Sequence, residues 1–451
     1  MFKLFKSITS PLFSLAIMMI AIGLFSTFIP LRLALSKYSP SVIGGVTAAY
    51  FAGLVLGSVK AERFIARVGH IRTFSAFASL TGAISLLMGL LVHPGLWVFG
   101  RFLMGFFTAG LFIVIESWLL MVGGKERKGT ILALYMIAFY AAQAGGQFLL
   151  SALPPLSLIP FTIGALLISL SVVPVALTRY KSPTLEEPSV LSPFQLLKIS
   201  TFGIFASFGS GLIMGAFFGL APVFASKIGM ESKDVAIFMG VTIIGGFILQ
   251  WPLGRLSDKI NRRSVLIGVS FITSSLALLM ALASFMSSDI LFILSVLFGG
   301  FSFTMYPMSI SYTNDYLDPK DLVAATGGLL LSYGVGCVIG PLVAPLMMKM
   351  FGPSGLYLYV AIISSIIGSV GFFRRNLKRK IPLGEQVAFR SVPRTTPKAA
   401  ELDPRSENEP DLINQQVEVT SKKLEQAVQD KSEEVRLKAT HSDSEPTQTE
   451  Q

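Results

Sequence analysis

The sequence predicts an all-α membrane protein in which twelve transmembrane helices form two six-helix bundles. Three observations carry that prediction. The first is composition: of 451 residues 52% are hydrophobic and 14% charged, with a mean hydropathy of +0.66, well above what soluble domains carry. The second is that the apolar residues fall in twelve runs long enough to cross a bilayer, which takes about 20 residues at a rise of about 1.5 Å each. The third is the charge layout. Residues 1–380 hold 28 Lys+Arg against 12 Asp+Glu, while the remainder holds 9 against 14. A basic membrane part followed by an acidic tail is not a nucleic-acid-binding pattern.

The runs lie near 11–34, 41–60, 73–92, 95–122, 129–152 and 156–177, then near 200–225, 234–254, 264–285, 289–311, 323–350 and 354–373. Spans this long and apolar must be helices, because only helices satisfy every backbone group within lipid. The opening MFKLFKSITSPLF has the basic start of a signal peptide. The apolar run behind it is too long and lacks a clear cleavage site, so it is expected to stay as the first span.

Orientation follows from the cationic residues, which are held on the cytoplasmic side. One side gathers Lys3, Lys6, Lys60, Arg63, Arg67, Arg72, the KERK run at 125–128, Arg179, Lys181, Lys198, Arg255, Lys259, Arg262, Arg263, Lys320 and the RRNLKRK run at 374–380. The other side has only Arg32, Lys37, Lys227, Lys233 and Lys349. Both termini are therefore expected in the cytoplasm. The polar, proline-punctuated stretch at 181–198 reads as a cytoplasmic linker between an N-terminal bundle, 1–180, and a C-terminal bundle, 199–375. From 376 to 451 hydrophobicity collapses, and a disordered polar tail is expected, with helical character around Leu424–Ala439 and room for a cytoplasmic partner.

Two halves of six spans invite a search for a repeat, since transporters are often built from repeats with the site between them. A shift of 195 residues sets Gly105 on Gly300, Glu126 on Asp321, and Gly145-Gly146 on Gly340-Pro341. At the turn between the eighth and ninth spans stands PLGRLSDKINRR, residues 252–263. Its glycine permits close helix approach, its aspartate suits a helix N-terminus, and its arginines suit carboxylates and helix ends.

That stretch resembles the loop signature G-x-x-x-D-[RK]-x-G-[RK]-[RK] of the major facilitator superfamily: Gly254, Asp258, Lys259, Arg262 and Arg263 fall on signature positions, and Asn261 replaces the second glycine. The corresponding stretch of the first half, Gly57–Arg72, looks like a longer altered loop with Ala61-Glu62 where the aspartate would stand. Arg101-x-x-x-Gly105 is similar to a pattern found in many proton-coupled antiporters of the superfamily. The fifth span, YAAQAGGQFLL, lacks their glycine-proline motif, and Gly336-x-x-x-Gly340-Pro341 appears instead in the eleventh. VGHIR, IESWL and QWPLGRLSD together look most like the YcaD-like bacterial subgroup. The resemblance covers residues 9–375. It implies the major facilitator fold, alternating access by two rocking bundles in a bacterial inner membrane, and a gating role for the five signature residues.

Ionisable groups inside spans are costly and usually face a cavity, so each is a functional candidate. Arg101 and Glu116 share the fourth span. Fifteen residues separate them, about 22 Å along a helix, so they cannot pair. Around the axis they lie about 60° apart, so both can face one interior. Arg101 also reads as a guanidinium snorkelling to the outer interface, and Glu116 as a partner of Lys125 or Arg127 at the inner mouth. If instead no cation neighbours it, Glu116 meets the requirement for a proton-coupling group. Gln143 and Gln147, one turn apart, either bind solute or join helices. Gln250 and Trp251 read as packing. Among Tyr306, Tyr312, Asn314 and Tyr333, only Tyr306 is kept as a cavity candidate, because tyrosines near span ends usually anchor at the interface.

No enzyme is expected. His70, His93 and His441 are scattered, the lone Cys337 excludes a disulfide framework, and no GxxxxGK[ST] loop is present, so neither metal nor other cofactor is called for. The expected function is secondary active transport of a small organic solute, coupled to protons, by a monomer in lipid, with export and uptake both open. The competing class is a membrane receptor or scaffold on a transporter fold, with the tail as its output.

Overall fold

The structure is a computed structural model that describes residues 2–123, 127–177, 191–283, 288–318, 321–374, 382, 386 and 388–403. Lys125, Glu126, Lys320, most of the RRNLKRK run, residues 178–190 of the linker region and residues 404–451, with the helix expected near 424–439, lie outside the described residues.

Fourteen α-helices follow in order: α1 Phe2–Leu35, α2 Pro40–Val68, α3 His70–Leu90, α4 Pro94–Gly123, α5 Lys128–Ser151, α6 Ile159–Leu170, α7 Val172–Ala176, α8 Pro193–Ile199, α9 Thr201–Lys227, α10 Ser232–Lys259, α11 Arg262–Ala283, α12 Ser288–Asn314, α13 Leu322–Phe351 and α14 Gly355–Phe373. Among the described residues twelve segments are long and apolar enough to span a bilayer, α6 and α7 together making the sixth. Large apolar side chains such as Phe13, Leu90, Phe99, Ile248, Met350 and Phe373 stand exposed on the outer faces. In water such surface would drive association, whereas lipid accepts it.

Helix ends follow local rules. Ser39 accepts the Val42 N–H ahead of Pro40 and starts α2. Ser192 and Gln195 form a capping box with Pro193 in the first turn, so the end of the expected linker is the helix α8 rather than coil. Leu196 of α8 is fully buried, which pins the connection to the bundle. The two expected signature loops are also corrected. The first-half stretch is helical through Val68, and its turn is Gly69 alone at φ 92°, a left-handed value that glycine adopts without strain. In the second half only Ile260 and Asn261 separate α10 from α11. Charged residues at these ends are good helix formers, and helices continue past the apolar limit into water.

The packing follows the repeat. In the first half α1 packs on α5, α2 on α4, and α3 on α6; in the second α9 packs on α13, α10 on α12, and α11 on α14. Across the halves α2 meets α13, and α5 meets α10. The shift of 195 residues exchanges those two cross-pairs, as expected of two similar bundles about a pseudo-twofold axis.

Candidate functional site

The two halves enclose a cavity of about 110 Å³, lined by side chains of α1, α2, α4, α5, α9, α12 and α13. Most of its wall is aromatic or aliphatic, as in solute pockets generally. Its polar groups are few: Ser26, Thr47, Arg101, Gln143 and the hydroxyls of Tyr50, Tyr140 and Tyr333, joined by Arg394 and Thr395.

Arg101 is 6% exposed and its guanidinium carbon sits 4.0 Å above the Tyr50 ring centroid. The charge therefore faces the cavity and does not snorkel outward. An aromatic face compensates a buried cation only in part, and the Arg101 Nε has no hydrogen-bond partner among the described residues. Gly105, one turn on, serves packing: a Cβ there would run into the Tyr50 carbonyl oxygen and stand 2.9 Å from the Leu54 nitrogen of α2.

Glu116 is fully buried near the other end of α4. Tyr135 Oη donates to its Oε1 at 2.8 Å, Thr395 Oγ1 donates to the same oxygen, and Thr396 Oγ1 donates to Oε2. No lysine or arginine among the described residues stands within ion-pair distance, and Arg127, one partner proposed from sequence, is exposed. Arg101 lines the cavity directly, and Glu116 meets it through Thr395.

The other candidates separate. Gln143 lines the cavity. Gln147 does not; it is fully buried and its amide donates to Gly23 O at 2.7 Å and Ser26 Oγ at 3.1 Å, tying α5 to α1. Tyr306 lies behind the wall, its ring 4.5 Å from that of Tyr333, and Tyr333 is the one that lines the cavity. Gln250, read as packing, donates to Tyr140 Oη at 2.8 Å and so links the halves.

The signature residues form one cluster at the end of the bundle that carries the basic turns. Arg262, 1% exposed, donates to Asp258 at 2.8 Å, to Asp315 at 2.6 Å and to the Ser311 carbonyl at 3.1 Å. It thus joins α11 to α10 and to the C-terminal end of α12, where a cation is favoured. Arg263 is buried with its guanidinium 5.8 Å from the Phe202 ring centroid, and Lys259 is exposed. Gly254 leaves room for the Phe389 ring, so its close neighbour is the chain beyond α14 rather than a helix.

That neighbour corrects the expectation of a disordered tail from residue 376. Residues 388–403 are packed between the halves, and Val392, Thr395, Thr396, Ala399, Ala400 and Leu402 are buried. Pro397–Leu402 is a short 3-10 helix against α4, α5 and α13. Polar composition does not prevent burial when each polar group finds a partner.

The Major Facilitator Superfamily profile matches residues 12–268 and 203–413. The chain belongs to the major facilitator superfamily. It is similar to the uncharacterized MFS-type transporter YcaD of Escherichia coli O17:K52:H18, at 30% identity over 78% of this chain and 91% of that one. It is also similar to an uncharacterized MFS-type transporter of Enterobacter sp. strain 638, at 29% over the same shares. Among solved structures, the nucleoside transporter NupG superposes with a TM-score of 0.68 at 15% identity, covering 82% of this chain and 99% of that one. A D-xylose-proton symporter gives 0.67 at 11% identity, covering 83% and 98%. As a member of this superfamily the chain is a multi-pass membrane transporter, and its twelve spans follow the superfamily fold.

Proposed function

We propose that this transporter moves a small amphipathic organic solute across a bacterial cytoplasmic membrane by alternating access, in exchange for protons and in the outward direction. The observation that carries the reading is Glu116: a fully buried carboxyl group on a span, held among the described residues by hydroxyls, and joined through Thr395 to the cavity between the halves. Hydroxyl partners serve a carboxyl group in either protonation state, because a hydroxyl donates to the carboxylate and accepts from the acid. A fixed lysine or arginine would hold the charged form. Glu116 is therefore suited to load a proton on one face of the membrane and release it on the other.

Arg101 takes the complementary part. Its guanidinium on the Tyr50 ring offers donors to an acceptor group of the solute, while Phe51, Phe112, Phe139 and Phe218 surround the apolar body. Rocking the bundles moves access from one mouth to the other around these groups. The basic turns support a cytoplasmic location for the Glu116 mouth. There Asp258, Arg262 and Asp315 latch α10, α11 and α12 as a gate.

The experiment has two stages. Metabolites retained and released by cells with and without the gene identify the solute. Purified protein in proteoliposomes is then assayed for flux of that solute under an imposed pH gradient. Glu116→Gln is expected to fold and bind solute yet lose the response to the gradient; an unchanged response refutes proton coupling at this residue.

A further inference from the structure

The chain beyond α14 shows what the cavity can hold, because part of that chain lies in it. The Phe389 N–H donates to Asp258 Oδ1 at 2.8 Å, and Ser391 Oγ donates to Gln250 Oε1 at 2.5 Å. Arg394 then enters the centre. Its Nη2 donates to the Phe303 carbonyl at 2.7 Å and to Tyr140 Oη at 3.3 Å, and its Nη1 to Tyr333 Oη at 3.4 Å. The guanidinium carbon stands 4.8 Å from the Phe303 ring centroid and 5.9 Å from that of Tyr333. Thr395 and Thr396 cover Glu116, and the 3-10 helix behind them, braced by Lys398 to Glu401 at 2.9 Å, fills the space toward the basic end.

Two features of this arrangement point to a ligand site rather than to ordinary tail packing. Even a half-buried guanidinium among spans, such as that of Arg394, is expensive unless the wall provides acceptors and π-faces. This wall provides a backbone carbonyl, two phenol oxygens and two aromatic faces at one point, a combination suited to a cation. Those groups also come from both halves, Tyr140 from α5 and Phe303 and Tyr333 from α12 and α13. An occupant there bridges the bundles that must rock, as a transported solute does. Arg101 lines the same cavity, so the cavity accommodates a second cation beside its own.

We propose that Tyr140, Phe303 and Tyr333 form a binding site for a guanidinium or ammonium group of the solute, and that Arg394 occupies it, making residues 388–403 a competing plug. The proposal rests on the transport reading above for the identity of the competitor, whereas the site and its occupant stand on geometry alone. Departure of the plug uncovers Glu116 and the aromatic site together, so an organic cation and a proton would share one opened cavity. A tethered segment acts at an effective concentration on the order of millimolar or more, and Arg394 is one anchor among several. Removal of that anchor is therefore a sharper test than competition against the intact plug.

The test uses full-length protein in detergent and requires no flux. Val392→Cys, in the buried part of the plug, reports docking through its rate of reaction with a bulky maleimide; Cys337 is itself buried. The expected result is slow labelling in the Val392→Cys protein and at least tenfold faster labelling once Arg394→Ala is added, with Arg394→Lys in between. Radiolabelled agmatine, which carries a guanidinium and an ammonium group, is expected to bind the Arg394→Ala protein at least tenfold more tightly than the parent, and to lose that gain with Tyr333→Ala. Fast labelling in the parent, or equal rates with and without Arg394, overturns the plug. Released labelling without any gain in agmatine binding, or an equal gain for an organic anion such as taurocholate, overturns the cation site. A protein that passes every arm but moves no solute in liposomes refutes the transport reading and leaves the site standing.

Discussion

Gly105→Ala is the most direct test of the helix packing beneath the cavity. The added methyl would overlap the Tyr50 carbonyl oxygen and sit 2.9 Å from the Leu54 nitrogen, both backbone atoms of α2. Backbone cannot rotate aside as a side chain can, so α2 and α4 must separate. Overpacking of this kind costs about 1–3 kcal/mol. At about 1.4 kcal/mol per tenfold, that lowers the folded-to-unfolded ratio roughly five- to 150-fold. Gly145→Ala on α5 is the matched control, because a Cβ there meets nothing within 4 Å. Alanine gains about 0.5–1 kcal/mol over glycine in a helix interior. The two variants add the same atom and should move stability in opposite directions. Unfolding in mixed micelles titrated with sodium dodecyl sulfate, followed by tryptophan fluorescence, reads the difference. Equal midpoints for both variants would refute the close α2–α4 contact and the packing role assigned to the glycine of the Arg101-x-x-x-Gly105 pattern.

Two further outcomes are expected. Asp258→Asn removes one of the two charged partners of Arg262, leaving Asp315, and weakens the acceptor of the Phe389 N–H, so cysteines placed at the basic mouth should react faster while intrinsic solute affinity stays near wild type; an unchanged accessibility would remove the latch role. Tyr306→Phe deletes a buried hydroxyl that has no partner among the described residues and should hold or raise stability by about 1 kcal/mol without changing solute binding, whereas Tyr333→Phe, which loses a bond to Arg394, should loosen the plug; the reverse pattern would return the cavity role to Tyr306.

The frame was legible because bilayer crossing is one-dimensional. Run length and cation placement suffice for spans, and the repeat gives their pairing. Glu116 was legible for the same reason, as the cost of burying a carboxyl group needs no partner to be known. Which face of a helix meets the cavity was not, since spans are apolar all round and carry little amphipathic signal. Nearness to a span end, the ground for keeping Tyr306 over Tyr333, says nothing about which face meets the cavity, and the one-turn spacing of Gln143 and Gln147 does not tell them apart. The plug was hidden differently. SVPRTTPKAAELD has the composition of a solvated tail, and its partner Glu116 lies 279 residues before Thr395. No local pattern encodes a contact of that range.

The repeat also explains why the charges sit where they do. The positions that correspond to Arg101 and Glu116 in the second half are Val296 and Ser311. Val296 presents its carbonyl to Gly245, a packing contact between α10 and α12. Ser311 gives its carbonyl to Arg262, within the latch. In the second half this register therefore closes the bundle, while in the first it puts charge at the cavity. The frame has both halves alike, because α2 with α13 and α5 with α10 meet as equivalent pairs. The solute needs them different, because a site symmetric about the axis would set like charges against each other where the halves meet. One half thus supplies the charged groups Arg101 and Glu116, and the other supplies most of the aromatic and carbonyl surface around Arg394.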